Sequence, residues 1–188
     1  MEKSKYIAKI IPFMKEHGMS LSMDAIAEGI GVSKKTLYNQ FSSKEELLEA
    51  ILASTTDEFH KKVDCLSNYD CPVINGFKSG ITGLKEYFYD ISHLFMKDFI
   101  RLNPTKSSAH HIMGSDYFER QMKENIIRGK QEGVYRDDID ENLFSKYIAS
   151  SIFGFFYRNV MARKDYAADY YFSQVTEFNL RALVKHQA

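Results

Sequence analysis

The stretch from Ser22 to Lys44, SMDAIAEGIGVSKKTLYNQFSSK, decides the fold. Ser22 reads as a helix N-cap. Asp24 falls in the first turn, where negative charge meets the positive end of the helix. Ile26, Ala27 and Ile30 share one helical face. Gly31 stops the helix, as glycine does where a residue must take the left-handed conformation. Ser33 is a second N-cap. From Lys34 to Phe41 a second helix places Leu37 and Phe41 four apart on one face. Its opposite surface shows Lys34, Lys35, Tyr38 and Asn39 and no acid.

Two short helices joined by a tight glycine turn read as a helix-turn-helix, or as an ordinary helical hairpin inside an all-α domain. Ala27 is small enough for close approach, and Leu37 plugs the angle between the helices. The second helix keeps a polar, cationic outer face suited to the major groove of DNA. Outward from this stretch, Lys3–His17 predicts a first helix with Tyr6, Ile7, Ile10, Ile11, Phe13 and Met14 inside, Pro12 within it and Gly18 at its end. Ser43-Lys44-Glu45-Glu46 is a capping box that opens a fourth helix. Leu47, Leu48, Ile51 and Leu52 carry that helix on towards Lys62.

Ile26-Ala27, Gly31-Val32-Ser33, Thr36-Leu37-Tyr38, Phe41, Ser43-Lys44 and Leu47-Leu48 together resemble the DNA-binding domain of the TetR family of bacterial transcriptional regulators. The resemblance runs from about Ile7 to Ile51; beyond it only length and helical layout agree. Lys35 stands where many relatives carry a small residue, and Asp24 where some carry a basic or neutral one. The resemblance implies an all-α protein of about nine helices. A three-helix DNA-binding head would occupy residues 1–50, and a larger ligand-binding and dimerisation body residues 51–188. It implies that Ser22, Ser33, Lys34, Lys35, Thr36, Tyr38, Asn39, Gln40 and Lys44 meet double-stranded operator DNA, with Tyr38 and Lys44 on phosphates. It also implies a homodimer, released from its operator by a small molecule that moves the fourth helix.

The chain has 188 residues, and its 25 basic and 25 acidic residues cancel. Within the first 50 residues seven lysines balance seven acids, yet Lys34, Lys35 and Lys44 gather around the second helix of the motif. Distribution matters more than the total for a nucleic-acid binder. The first arginine is Arg101, so the head has none to fork onto guanine. Base contacts would fall to Lys34, Lys35, Thr36, Asn39 or Gln40, and Asn and Gln favour adenine. A palindromic site with A·T pairs in each half is expected.

Cys65 and Cys71 match no metal or redox spacing and read as reduced thiols. His110-His111 with His93 do not make a metal site, because adjacent histidines in a helix point about 100° apart. No metal, cofactor or catalytic residue is expected. Tyr147–Tyr157 is the longest uncharged apolar stretch and too short for a membrane span, which needs ~20 residues. A cytoplasmic protein is expected.

Asn68–Pro72 is a polar break. Ile74 to Leu102 then reads as one long helix, with Phe77, Ile81, Leu84, Phe88, Ile91, Phe95 and Phe99 at steps of three or four. Lys106–Met113, Asp116–Gln131, Asp140–Lys164 and Asp169–Lys185 predict the remaining helices. The helix after Asp140 carries two apolar stripes and must be buried on more than one side, within its own subunit or against a second. The family pattern implies the second, through Ile148, Ile152, Gly154, Phe155, Val175 and Phe178. Of 14 Phe and 12 Tyr, only Tyr6, Phe13, Tyr38 and Phe41 precede residue 50. The other rings are core or line a cavity between helices. Phe88, Phe95, Phe99, His110, Met113 and Tyr117 are the candidate walls, for a small apolar or aromatic effector. A different reading is a helical small-molecule-binding protein or enzyme that retains the head as a scaffold.

Overall fold

The structure, a computed structural model, describes residues 2–102, 114–162 and 168–185. The described residues form nine α-helices and no strand. They are α1 Glu2–His17, α2 Met23–Gly29, α3 Lys34–Gln40, α4 Lys44–Val63, α5 Val73–Tyr89, α6 His93–Leu102, α7 Ser115–Gln131, α8 Glu141–Ala162 and α9 Ala168–Leu183. The expected helix at 106–113 lies outside the described residues.

The chain divides into two compact units. The first holds residues through Glu58 together with the segment that begins at Asp90; the second begins at Phe59, leaves at Tyr89 and resumes with α7. The single helix expected over 74–102 is therefore two. Ser92 caps α6, its Oγ accepting from the Phe95 amide at 3.1 Å. The apolar period continues across the break through Phe88, Ile91 and Phe95, all buried. Hydrophobic spacing alone hides such a break; the cap reveals it.

In the first unit Ile7, Ile10, Ile11 and Met14 of α1 are buried with Ile26, Leu37, Phe41, Leu47 and Ile51. Pro12 is exposed inside α1. The turn after α1 is held by α6. Asp98 is 7% exposed. Its Oδ2 accepts from the Met19 and Ser20 amides, each at 2.9 Å. Arg101 completes the latch, donating to Ser20 Oγ at 2.5 Å and to Asp98 Oδ1 at 3.4 Å. A buried carboxylate is stable only with such partners. Burial raises its pKa, but the bonds from Ser20 and Met19 and the Arg101 charge outweigh burial and hold it below the ordinary value.

In the second unit the core is aromatic. Phe59, Phe77, Phe118 and Phe153 are each at most 2% exposed. Phe153 meets Phe59 and Phe88 edge-on, at 6.3 and 5.3 Å between ring centres. Helix α5 passes close to the end of α4, and a Cβ at Gly83 would sit 2.2 Å from the Lys62 carbonyl oxygen. Asn125 and Arg128 of α7 tie down the polar loop after α4. The Asn125 amide donates to the Leu66 and Val73 carbonyls, and Arg128 to those of Asn68 and Cys71. Cys65 and Cys71 are free thiols. Asp140 caps α8, accepting from the Asn142 and Leu143 amides at 2.9 Å.

Candidate nucleic-acid interface

Helix α2 ends as the sequence anticipates. Gly31 has φ +72°. Its amide donates to the Glu28 carbonyl at 3.1 Å, and the Val32 amide reaches back to Ala27 at 2.9 Å. These are the two bonds of a Schellman motif, and they satisfy carbonyls that the helix end would orphan. Gly29 lies under the Phe13 ring: a Cβ there would fall 2.1 Å from Phe13 Cζ. The missing side chain lets α1 and α2 close together. Ala27 is buried beside it.

Ser33 caps α3. Its Oγ accepts from the Thr36 amide at 3.1 Å and lies 2.7 Å from Thr36 Oγ1. Leu37 is fully buried, and Phe41 is fully buried at the C-cap. These anchors fix the rotation of α3. Ser33, Lys34, Lys35, Tyr38 and Asn39 are consequently exposed on one surface, with Thr36 and Gln40 half-buried at its margin. Ser22 is exposed too, with its Oγ accepting from the Ala25 amide at 3.2 Å. The hydroxyls of Ser22 and Ser33 are thus committed to capping. Lys34, Lys35, Tyr38, Asn39 and Gln40 are the other polar side chains on this side of α3.

Lys44 opens α4, half-buried. The capping box is formed in an altered way. The Glu46 amide donates to Ser43 Oγ at 3.1 Å, as expected. The Glu46 carboxylate, however, turns to the Ser42 amide and hydroxyl, at 2.7 and 2.6 Å, and to Lys3 Nζ at 2.5 Å. Lys3 and Ser42 hold that carboxyl well below the usual range, at about 2. Lys3 is therefore engaged in joining α1 to α4.

Sequence spacing missed a second ion pair. Asp24 Oδ2 lies 2.8 Å from Lys34 Nζ, across α2 and α3. The pair raises the Lys34 pKa, chiefly through the hydrogen bond to Asp24. Ten residues separate the two, a spacing that carries no helical signal; only the crossing of α2 and α3 brings them together. Lys35 and Lys44 have no ion-pair partner among the described residues.

The described candidate effector walls are divided between the two units. Phe95 is buried in the first unit with Phe99 beside it, ring centres 6.3 Å apart. Phe88 and Tyr117 belong to the second unit. Phe88 is 5% exposed and stacks on Phe156 at 3.9 Å. Tyr117 stacks on His60 at 3.6 Å, and its hydroxyl donates to Asp64. His110 and Met113 lie outside the described residues. An open groove of about 570 Å³ in the second unit, between α5 and α9, uses none of these residues; Lys78, Thr82, Lys85, Asp169, Thr176 and Arg181 are on its walls. No group of three metal-binding side chains occurs among the described residues, and no described helix is long and apolar enough to cross a membrane.

The proposed subunit-contact residues also divide. Ile148 and Ile152 are fully buried within the chain, and Val175 is 8% exposed, so they belong to the core of their own unit. Phe155 stacks on Tyr171 at 3.5 Å. Gly154 faces open space, and Phe178 is 60% exposed. The outward stripe of α8 is instead Leu143, Tyr147, Gly154 and Tyr157, with Leu143 69% and Tyr147 58% exposed. Ala149 and Phe153 are buried beside Ile148 and Ile152, so residues of both apolar stripes make up the inward face of this helix.

Residues 13–51 match the family model for bacterial regulatory proteins of the tetR family. The HTH-type transcriptional regulator YvaF of Bacillus subtilis is 29% identical over 83 residues, 44% of this chain and 44% of that protein. The chain thus aligns with less than half the length of this curated relative. Among solved structures, a transcriptional regulator from Cytophaga hutchinsonii superposes with a TM-score of 0.75 at 17% identity, covering 97% of this chain and 98% of that one. SmeT, the repressor of the Stenotrophomonas maltophilia multidrug efflux pump SmeDEF, gives 0.72 at 16%, covering 97% and 90%. At such identities the likeness establishes the fold.

Proposed function

We propose, on the premise that the head of this chain is a DNA-binding domain of the TetR family, that the protein is a transcriptional regulator, a repressor released from its operator by a small molecule. The observation that carries the reading is α3. Ser33, Leu37 and Phe41 clamp its inner side, and Lys34, Lys35, Tyr38, Asn39 and Gln40 stand on the outer one. A rigid, amide-bearing and cationic helix face is what major-groove readout requires. Residues 1–50 act as the reading head and residues 51–188 as the effector-binding and dimerisation body.

The regulator acts as a homodimer in the cytoplasm, so that two heads meet the two halves of a palindrome. The exposed stripe Leu143, Tyr147, Gly154 and Tyr157, with Phe178 of α9, supports an isologous contact. The rings of the second unit support an apolar or aromatic effector. Such a ligand shifts DNA affinity only by its preference for one state of the protein.

The test is selection of duplexes from a random pool with the intact protein, followed by a salt titration. A palindromic, A·T-containing consensus is expected. Lys44→Ala should flatten the log–log salt slope by about one. A protein that enriches no sequence and binds no duplex in a salt-dependent way would leave the scaffold reading, in which the body is a carrier or enzyme.

A further inference from the structure

The pair between Asp24 and Lys34 is in an unexpected place. In helix-turn-helix docking the first helix of the motif crosses the phosphate backbone while the second enters the groove. Asp24 sits in the first turn of that first helix, 60% exposed, where a negative charge opposes phosphates. Capping does not require it, since Ser22 already binds the Ala25 amide. Its one ion-pair partner among the described residues is Lys34, which is 61% exposed and also lies 5.9 Å from the centre of the Tyr38 ring. Of the two cations on α3, one is therefore neutralised by the protein itself.

We propose that Asp24 is a specificity-determining residue: it holds Lys34 against the α2–α3 surface and away from the phosphates of unrelated DNA. The inference rests on the DNA-binding reading above. A lysine is a point charge on a flexible four-carbon stem, so a free one reaches phosphates in almost any register. Phosphate contacts add affinity without reading sequence, and base contacts carry the discrimination. Pairing Lys34 with Asp24 removes about one such contact from every non-specific complex. On the operator the register is fixed by Lys35, Asn39 and Gln40, and the pair matters less. An acid at position 24 thus trades general affinity for selectivity.

The magnitude follows from counterion release. One added phosphate contact steepens the salt slope by about 0.9, which makes roughly a 3.5-fold difference in affinity between 50 and 200 mM salt. The experiment uses the full chain and fluorescence anisotropy. The duplexes are one selected by the unaltered protein and a scrambled one of equal composition. The variants are Asp24→Asn, Asp24→Glu, Lys34→Gln and the double variant that combines Asp24→Asn with Lys34→Gln. Asp24→Asn should bind the scrambled duplex severalfold tighter at low salt, with a slope steeper by about one, and the selected-to-scrambled ratio should fall. Asp24→Glu should behave as the unaltered protein, and Lys34→Gln should cancel the gain in the double variant. The proposal is overturned if Asp24→Asn leaves the scrambled affinity and slope unchanged, or if its gain persists beside Lys34→Gln. An unaltered protein that does not discriminate the two duplexes overturns the DNA-binding reading and this inference together; discrimination with an inert Asp24→Asn overturns the inference alone.

Discussion

Replacing Asp98 by alanine should unlatch α6 from the turn between α1 and α2. The carboxylate accepts from the amides of Met19 and Ser20 at 2.9 Å and faces Arg101. Met19 is 1% exposed, so its amide has no access to water once Asp98 is truncated. A buried donor left unsatisfied costs about 1–3 kcal/mol. The Ser20 amide is only part-buried and adds less. A total of about 2–4 kcal/mol follows, or roughly 4–16 °C in melting temperature for a protein of this size. Asp98→Asn keeps an oxygen for the two amides but exchanges charge-assisted bonds for neutral ones and turns an amide group towards Arg101. Its cost should be about 1–2 kcal/mol. The sign of the pH effect follows from the depressed pKa of Asp98. The contribution is fully present above the ordinary aspartate value and is lost as pH falls through the lowered one. Urea unfolding followed by circular dichroism, from neutral pH down to the stability limit, measures both. The gap between the native protein and Asp98→Asn should be widest near neutrality and close in acid. A gap under ~0.5 kcal/mol for Asp98→Ala at neutral pH would refute the latch, because exposed sites give changes of that size. A gap for Asp98→Asn that does not narrow in acid would refute the role of the charge.

Leu37 is fully buried at the crossing of α2 and α3, so Leu37→Ala should destabilise the protein by about 2–5 kcal/mol in denaturant titrations and abolish operator binding at temperatures where the second unit stays folded. The Glu46 carboxyl, held at about 2 by Lys3 and Ser42, should remain ionised at pH 4 in a carboxyl-resolved NMR titration; a midpoint near the ordinary glutamate value would mean that the tie to α1 does not form in solution. Phe178→Glu puts a charge on an exposed ring of α9 and should shift sedimentation at micromolar concentration from dimer to monomer without lowering helicity. An unchanged dimer would exclude that ring from the contact.

The head was legible because its determinants are local. Ser22, Gly31 and Ser33 act on amides and carbonyls three residues away, and their spacing alone implies the caps and the turn that the structure contains. Leu37 and Phe41 share a face by helical period, so their burial was readable too. The helices over 116–131, 140–164 and 169–185 were readable, within a few residues at their ends, for the same reason. What the sequence did not determine is which surface meets which. Phe88, Ile91 and Phe95 keep one period across two helices, and the cap at Ser92 is a weaker signal than the apolar run. The apolar residues of α8 face more than one side on paper; only packing against its neighbours sent Ile148, Ala149, Ile152 and Phe153 inward and left Leu143 and Tyr147 outside. Asp98 with Met19, and Asp24 with Lys34, are separated by 79 and 10 residues. Such pairs carry no periodic trace, because the chain between them sets the distance only after it has folded.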